Sequence, residues 1–413
     1  MWFFRCLWWD GSCRITYPIN DHPKWYNKGD WDKLGIFYEI NERGMVMQNY
    51  SFFMPTRVIH GEKALLTQGE HLARYGKKCL LVTGKNSARV SGALDDSLEA
   101  LRSQGIDYRH YDGVENNPSL ENVAAGGEEA RQYQPDFILA IGGGSPLDAA
   151  KAVATLATNP ITPEELYSNK FAHAPLPIVA IPTTAGTGSE VTPYSILTVP
   201  AEETKKSFSV PELFPKIAIL DWRYTDKLPT SITRDTGVDA LSHLVEGYLS
   251  RRATGISDTF AEQGIRLWGQ CISALQKGEF SPVDRDRLLV ASTLGGITIS
   301  HTGTTLVHAL GYSLTYYDDI PHGRANGVLM GEYLRFTAEH VPQRVKHVLD
   351  WLGVADIEAF IGLINDLFGT VVTLDEKAIR AYVDKAMQTR NVAFSQGNVT
   401  EAVLGRILEK SLS

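Results

Sequence analysis

The sequence predicts an N-terminal α/β domain with a mostly parallel, Rossmann-like sheet, followed by an all-α C-terminal domain. From about Tyr50 to Asp221, short apolar runs alternate with amphipathic stretches, which is the pattern of βαβ units. After Asp221 the strand-like runs stop and only helical patterns follow. We therefore expect an α/β domain over residues 47–228 and a helical domain over residues 229–413, with the boundary near Pro229.

The predicted strands are short apolar runs bounded by turn-forming residues. A strand rhythm begins at about Tyr50, and further runs follow at 79–83, 108–114, 136–141, 177–181 and 217–220. Predicted helices lie between them over 93–103, from Ser119 to about 133, and from Pro146 to about 157, because Ser suits an N-cap and Pro a first turn. The C-terminal helices are predicted at 234–250, 257–276, 284–300, 303–313, 325–338, 341–352, 356–367, 375–388 and 400–411.

The composition is that of a soluble globular protein with 43% apolar and 21% charged residues, and its 413 residues suggest two domains. A net charge of −8 argues against nucleic acid as a partner, because phosphate binding requires clustered Lys and Arg. No apolar run approaches the ~20 residues of a membrane span, and the N-terminus lacks a signal-peptide pattern. Four cysteines without a CxxC pair favour a reducing, cytoplasmic environment.

The first 46 residues differ from the rest of the chain. They hold five of the eight tryptophans, few periodic segments and many turn-forming residues. Two interpretations remain open. The segment is either a peripheral appendage that packs its aromatic side chains on the main body, or an upstream extension ahead of a start at Met45 or Met47. We assign it no function.

Three polar or glycine-rich segments follow directly after predicted strands, at Gly84, Gly142–Ser145 and Thr183–Thr187. In open parallel sheets, ligands bind at the C-terminal ends of the strands. Glycines at 142–144 let backbone N–H groups approach a phosphate, and the following helix N-terminus adds partial positive charge. The alternative is a tight strand-to-helix turn, since the GxGxxG pattern is absent. Three such segments in one sheet favour a dinucleotide site.

The end of the first buried strand indicates which dinucleotide is preferred. Sites for NAD usually offer a carboxylate to the adenosine ribose. Here the strand ends in Gly84, Lys85, Asn86 and Ser87, which supply a cation and a hydroxyl instead. That chemistry suits a 2′-phosphate and therefore NADP(H), although a lysine in an ordinary turn is the simpler alternative.

The stretch from Thr236 to Glu246 contains Asp239 and His243, four residues apart in a predicted helix. Residues at this spacing lie on one helix face, so a carboxylate and an imidazole can both reach one divalent cation. The alternative is that Thr236 caps the helix and His243 lies on its surface.

Two further histidines favour the metal. His308 has apolar neighbours, and His322 occupies a predicted loop before Gly323, so the four could bind Fe²⁺ or Zn²⁺.

Taken together, five segments resemble the iron-containing (group III) alcohol dehydrogenase family, within the dehydroquinate-synthase-like fold. They are GGGSPLDAAK (142–151), PTTAGTGSEVTPYSILT (182–198), TGVDALSHLVEGYLS (236–250), GTTLVHALGY (303–312) and PHGRANG (321–327). The resemblance runs from about residue 50 to the C-terminus. It implies an active site in the cleft between a dinucleotide domain and a helical metal domain, and it is strongest to NADP-preferring members.

The resemblance also implies roles for individual residues. It places the metal ligands on Asp239, His243, His308 and His322. It implies that the cofactor is held by Asn117, Gly143, Gly144, Ser145, Asp148, Thr183, Thr184 and Thr187, and by one lysine, either Lys205 or Lys206. The replacement of the aspartate of NAD-preferring members by Gly84 supports NADP(H).

One position departs from the family pattern. Many members carry a second histidine four residues after the third ligand, thought to relay protons, and this chain has Tyr312 there. The candidates for proton transfer are therefore Tyr312, His301 and bulk water.

The resemblance implies reversible hydride transfer between NADP(H) and a small primary alcohol, diol or aldehyde, with the metal as Lewis acid. Tyr194, Tyr312 and Tyr316 are candidates for the substrate pocket, and a homodimer is expected. Alternative functions are a lyase of the same fold, a metal-free reductase and a non-catalytic nucleotide-binding protein.

Overall fold

The computed structural model describes residues 49–369 and 372–412, together with short strands between residues 5 and 47. It divides into two units, Met1–Ser51 and Phe52–Ser413. In the first unit, three antiparallel strand pairs are formed by β1 (Arg5–Trp9) with β2 (Ser12–Thr16), β3 (Pro18–Ile19) with β4 (His22–Pro23), and β5 (Tyr38–Asn41) with β6 (Gly44–Met47). The remainder of the segment for which we assigned no function lies outside the described residues.

In the second unit, the described residues form a six-stranded sheet in the order β7-β14-β11-β10-β8-β9, with every neighbouring pair parallel. Its strands are β7 (Arg57–His60), β8 (Lys78–Gly84), β9 (Asp107–Val114), β10 (Phe137–Gly142), β11 (Ile178–Pro182) and β14 (Ile217–Leu220). Side chains alternate between the two faces of β8, so Leu80 and Val82 enter one hydrophobic cluster and Cys79 and Leu81 another. Burial of both faces explains why these strands are continuous apolar runs.

Helices cover both faces of the sheet. They are α1 (Ala64–Thr67), α2 (Ser87–Val90), α3 (Ala93–Ser103), α4 (Leu120–Tyr133) and α5 (Gly144–Thr158). Ser119 caps α4 as predicted, because its side chain accepts a hydrogen bond from the N–H of Asn122. The helix α5 is almost entirely buried and starts directly after the glycine turn that ends β10.

The region after Leu220 is helical. Its helices are α6 (Thr230–Leu249), α7 (Gly255–Gly269), α8 (Ile272–Lys277), α9 (Pro282–Thr302), α10 (Leu306–Tyr317), α11 (His322–Ala338), α12 (Pro342–Leu352), α13 (Ile357–Phe368), α14 (Glu376–Met387), α15 (Asn391–Phe394) and α16 (Glu401–Ser411). The central helix α6 packs against α7, α9 and α11 in one large hydrophobic core. The predicted fold class is confirmed. Among the described residues, no helix combines the length and apolar character of a membrane span.

Several predicted elements were wrong in detail. The strand β7 is shorter than the apolar rhythm that begins near Tyr50. The predicted helix over 257–276 is two helices, α7 and α8, separated by Gln270 and Cys271. The antiparallel hairpin of β12 (Ser195–Val199) and β13 (Thr204–Phe208) was not predicted, since β13 is largely polar.

Candidate active site

The helix α6 carries two predicted metal ligands in the helical core. Asp239 and His243 are buried on one of its faces. Thr236 is not the N-cap that the alternative interpretation required. It lies inside the helix, where its hydroxyl donates to the carbonyl of Ile232 at 2.8 Å, and the helix begins six residues earlier, at Thr230.

The other two ligands come from α10 and α11. His308 is buried in the first turn of α10. The prediction of a loop for His322 was wrong, because this residue opens α11 directly after Pro321. The residue after His322 is Gly323, and it lies against the backbone of α6. A Cβ at this position would lie only 1.8 Å from the carbonyl oxygen of Asp235, so no larger residue would allow α11 to approach α6 this closely. Glycine therefore permits backbone contact between the two helices.

The four side chains lie close together. Asp239 Oδ1 lies 4.0, 3.9 and 3.8 Å from the Nε2 atoms of His243, His308 and His322, and the Nε2 atoms of His243 and His308 are 3.1 Å apart. In a tetrahedral site with ligand distances of ~2.1 Å, donor atoms are roughly 3.4 Å apart. Asp239, His308 and His322 each offer an atom within 4.8 Å of the other two, a spacing that suits one divalent cation, and His243 lies directly beside His308.

The outer nitrogen of each histidine has its own hydrogen-bond acceptor. His308 Nδ1 bonds the carboxylate of Glu246, and His243 Nδ1 lies 3.3 Å from the Gly186 carbonyl. His322 Nδ1 lies 3.4 Å from the hydroxyl of Thr315. With the Nδ1 protons directed at these acceptors, all three Nε2 lone pairs face inward. In this tautomer the three imidazoles present lone pairs that could bind a divalent cation.

Glu246 was not identified from the sequence as a functional residue. It is fully buried on α6, and its second oxygen accepts from the backbone N–H groups of Thr305 and Val307 at 2.8 and 3.0 Å. It therefore anchors the start of α10 as well as the imidazole of His308. Its spacing of three and seven residues from His243 and Asp239 places it on the same helix face, which was the available signal.

Burial and neighbouring charges set the protonation of this cluster. Burial alone would raise the pKa of Asp239, but the three histidines hold it below its usual range. Burial lowers the pKa of His322 to about 3 and also lowers that of His243. Burial acts the same way on His308, yet Glu246 outweighs it and raises the pKa. Protons therefore compete with a metal most strongly at His308.

Asn326 is a second residue that the sequence analysis did not single out, although it lies in the PHGRANG segment. It is fully buried, and its Nδ2 lies 3.0 Å from Asp239 Oδ1, 3.2 Å from His308 Nε2 and 3.3 Å from His322 Nε2. A metal bound there would take the lone pairs of both histidines. The hydrogen bond to Asp239 is then the contact by which Asn326 orients a ligand.

A cavity of about 760 Å³ joins the metal ligands to the sheet. Asp239, His243, His308 and His322 line one part of it. Residues predicted for the cofactor or the substrate line it as well, namely Asp148, Thr187, Tyr194, Lys205, Lys206, Tyr312 and Tyr316. One space therefore contains the candidate metal ligands together with Asp148 and Thr187 of the predicted cofactor region.

The glycine turn is packed against the threonine segment. Gly142 has φ +154°, and a Cβ there would lie 2.5 Å from the ring of Pro146, so glycine is needed for the turn itself. Cβ atoms on Gly143 and Gly144 would lie 3.1 and 2.7 Å from Thr184 and Thr187. The structure therefore confirms the tight turn, and Thr187, against which Gly144 packs, lines the cavity. The phosphate-binding interpretation stays a prediction.

Two more residues predicted for the cofactor lie beside this turn. Thr183 donates its N–H to the Gly142 carbonyl at 2.9 Å, and its buried hydroxyl has no partner among the described residues. Asn117 adopts φ +53°, and its N–H donates to Ser145 Oγ at 3.1 Å. Its side-chain oxygen accepts from Lys205 Nζ at 2.9 Å.

The two candidate lysines differ in their surroundings. Burial lowers the pKa of Lys205 to about 8, against the opposing charges of Asp239 and Asp148. Lys206 instead has its ammonium 5.1 Å from the centre of the Tyr167 ring. The geometry therefore favours Lys205 as the lysine that faces the site.

Asp148 is held by a buried network. It accepts from Ser189 Oγ at 2.5 Å and from the N–H of Ile196 at 3.0 Å. Lys151, which was not predicted, is fully buried and donates to Ser189 Oγ and to the Tyr194 carbonyl, both at 2.6 Å. These contacts fix the Asp148 carboxylate at the cavity wall.

The residues predicted for the adenosine end lie apart from the cavity lining. Gly84 ends β8, the exposed Lys85 follows it, and Ser87 begins α2. A Cβ on Gly84 would meet the side chain of Pro146 at 3.7 Å, so this strand end lies beside the glycine turn.

Tyr312 and His301 had been candidates for proton transfer. The ring of Tyr312 stacks on His322 with centres 5.4 Å apart, and burial raises the pKa of its phenol. His301 is not among the described residues that line the cavity. Its ring stacks on Phe52, and its Nε2 accepts from the N–H of Phe53 at 3.2 Å. His301 was therefore the wrong candidate.

Comparison with known proteins identifies the family. The model described as iron-containing alcohol dehydrogenase matches residues 55–222, and the C-terminal model of the same family matches residues 233–410. The chain is 30% identical over 326 residues to an NADPH-dependent butanol dehydrogenase from Clostridium saccharobutylicum, covering 76% of this chain and 83% of that protein. It is 35% identical over 317 residues to a 1,3-propanediol dehydrogenase from Citrobacter freundii, covering 75% and 81%.

Solved structures agree with this result. An iron-containing alcohol dehydrogenase from Thermotoga maritima is 40% identical and superposes with a TM-score of 0.82, covering 88% of this chain and 99% of that one. Matched relatives include both NADPH-dependent and NAD-dependent enzymes. The chain therefore belongs to the iron-containing alcohol dehydrogenase family and is an NAD(P)-dependent oxidoreductase of that family.

Proposed function

We propose that this protein is a metal-dependent alcohol dehydrogenase or aldehyde reductase that prefers NADP(H), with Asp239, His243, His308 and His322 as the metal ligands. The observation that carries the proposal is the convergence of these four donor atoms at the wall of a cavity that also reaches Asp148 and the threonine segment. A bound divalent cation would act there as a Lewis acid on the substrate oxygen and lower the pKa of an alcohol.

The chain's own residues orient the reactants. Glu246 and Asn326 fix His308 and Asp239, so the donor atoms are positioned before a ligand arrives. Asp148, held by Lys151 and Ser189, presents a carboxylate that suits a carboxamide N–H donor such as that of nicotinamide. Lys205 lies beside Asn117 and Ser145, where an ammonium suits ribose hydroxyls. We propose Lys205 in place of Lys206 for this contact.

For the proton, we propose that Tyr312 serves as a hydrogen-bond donor and not as a base. Its raised pKa keeps the phenol protonated near neutral pH, and its ring is fixed on His322. It can therefore donate to a substrate oxygen at the metal end of the cavity. Net proton exchange is then left to water or to Lys205, whose pKa of about 8 permits both charge states.

The preference for NADP(H) rests on the end of β8. Gly84 carries no carboxylate, and the exposed Lys85 with Ser87 at the start of α2 offers a cation and a hydroxyl to a 2′-phosphate. The similarity to an NADPH-dependent butanol dehydrogenase supports the same preference.

We further propose that the substrates are small primary alcohols, diols or the corresponding aldehydes, as the names of the butanol and propanediol relatives suggest. A cytoplasmic homodimer built on the domains 47–228 and 229–413 remains our expectation. The strand β7 lies at an edge of the sheet, and the exposed Val58 on it offers an apolar contact for a second copy. Size-exclusion chromatography with light scattering tests the dimer.

The function is tested with purified protein of measured iron and zinc content. A panel of aldehydes and alcohols is offered with NADPH and with NADH, and nicotinamide absorbance is followed. We expect aldehyde-dependent oxidation of NADPH that scales with metal content. Product formation without net change in nicotinamide would indicate a lyase, and metal-independent turnover would indicate a metal-free reductase.

A further inference from the structure

The cavity that holds the metal ligands has a second charged region, formed by Arg252, Lys385 and Arg390. These three cations line the helical side of the cavity. The carboxylates that line the same space are Asp239 among the metal ligands, Asp148 in its buried network, and Glu203 at the turn of the β12–β13 hairpin. With Lys205 and Lys206 on the cofactor side, five lysine and arginine side chains line the cavity against three carboxylates, in a chain whose net charge is −8.

The three cations carry no internal counter-charge. In the part of the chain that the structure describes, none of them forms an ion pair with a carboxylate. Two are fixed by aromatic rings instead, since the Arg252 guanidinium lies 4.8 Å from the centre of the Phe394 ring and the Lys385 ammonium 5.2 Å from that of Tyr317. Arg252 and Arg390 are exposed at the cavity and Lys385 is half-buried, so their charges are accessible to an anion that enters this space.

This wall is held close to the metal ligands. Asn391 donates to Thr304 Oγ1 at 2.7 Å, and a Cβ on Gly303 would meet the Phe394 ring at 2.9 Å, so α15 packs on the segment before α10. Thr304 lies just before α10 and four residues ahead of His308, so their Cα atoms are at most ~14 Å apart even in an extended chain. Because Thr304, His308 and the three cations line the same cavity, one bound molecule can contact both the metal ligands and these cations.

We propose that the physiological substrate is a short-chain aldehyde or alcohol with an anionic group at its far end, recognised by Arg252, Lys385 and Arg390. This inference rests on the proposed function, because it assigns the substrate class of the same site. The group at the far end of the substrate is an anion, which could be a carboxylate, a sulfonate or a phosphate. Guanidinium groups bind all three through paired N–H donors.

The test compares matched substrates that differ in the charge. Succinic semialdehyde is measured against butanal, and glutaric semialdehyde against pentanal. Because only the anionic member can form charge-assisted hydrogen bonds with these cations, we expect its kcat/KM to exceed that of its neutral partner by about tenfold or more. The advantage should shrink as salt is added. Sulfoacetaldehyde and glyceraldehyde phosphate then distinguish sulfonate and phosphate from carboxylate.

Variants locate the effect. Arg252→Met and Arg390→Met should each lower kcat/KM for the anionic substrate about tenfold while butanal changes less than about twofold. Arg390→Glu should lower the anionic value further. Arg102→Met, at a site on α3 that does not line the cavity, is the matched control and should change neither value. Thermal unfolding of every variant checks that folding is intact.

The two hypotheses fail in different ways. If butanal is reduced as well as or better than succinic semialdehyde and the arginine variants behave like the control, the anionic substrate class is wrong and the proposed function stands. If no aldehyde is reduced with either nicotinamide, the proposed function fails. Calorimetric binding of γ-hydroxybutyrate, compared with butanol, then still decides the anion site, because binding that Arg390→Met does not weaken would overturn it.

Discussion

The two sides of the cavity are built in different ways. On the helical side, the proposed metal ligands are buried or half-buried side chains with outer partners such as Glu246 and Asn326. On the sheet side, Gly143 and Gly144 follow β10 as a glycine turn that packs against Thr184 and Thr187. A site made of interlocked side chains loses much when one is removed. A site made largely of backbone tolerates side-chain changes, which then alter preference more than binding as a whole.

The largest effect is expected when a ligand on the helical side is removed. His308→Ala should remove one of the four proposed ligands. It should also leave the buried carboxylate of Glu246 without its imidazole partner. We expect loss of bound metal, measured by elemental analysis, and loss of aldehyde reduction to background. His173→Ala removes an exposed imidazole that does not line the cavity and should change neither. Full activity with metal retained in His308→Ala would refute the ligand assignment.

A tenfold to hundredfold loss of metal affinity is expected for Glu246→Gln, the usual range for an outer partner of a ligating histidine. Glutamine keeps the acceptor for the Thr305 and Val307 N–H groups but can place an amide N–H against His308 Nδ1. Metal affinity is measured by competition with a chelator. Glu262→Gln, in a surface pair with Arg266, serves as the control. Unchanged metal affinity would mean that Glu246 only anchors α10.

On the sheet side, Gly84→Asp should change cofactor preference without destroying activity. A Cβ there would lie 3.4 Å from the Val114 carbonyl, so the side chain fits, and its carboxylate would repel a 2′-phosphate and accept from a ribose hydroxyl. The ratio of kcat/KM with NADPH to that with NADH should fall about tenfold or more, or ~1.4 kcal/mol. Lys85→Met should lower the ratio less. A wild-type preference for NADH would contradict the NADP(H) assignment at the outset.

The smallest effect is expected at the lysines, and it depends on pH. The pKa of Lys205 lies at about 8, so its ammonium is present below that pH and lost above it. We expect the KM for NADPH to rise severalfold as pH increases through this range. Lys205→Met should give a high, flat KM, whereas Lys206→Met, beside Tyr167, should retain the wild-type profile. The reverse result would restore Lys206 as the cofactor residue.

Whether a strand or helix could be predicted from the sequence depended on how it is buried. Strands β8, β10 and β14 were predicted because burial on both faces requires unbroken apolar runs. The hairpin β12–β13 escaped prediction because its second strand is mostly polar. His322 was assigned to a loop because proline and glycine flank it, yet here Pro321 precedes the first helical residue and Gly323 lets α11 touch α6.

The sequence by itself determined the order of strands and helices, the glycine turn, and the pairing of Asp239 with His243, because these depend on local periodicity and spacing. It also carried the motifs from which the family could be recognised. Only the tertiary structure decided that Glu246 and Asn326 orient the ligands, that Lys205 faces the site, and that unpaired cations line the same cavity. Those contacts join residues far apart in the chain, and backbone packing of α6, α10 and α11 creates them, which no local pattern encodes.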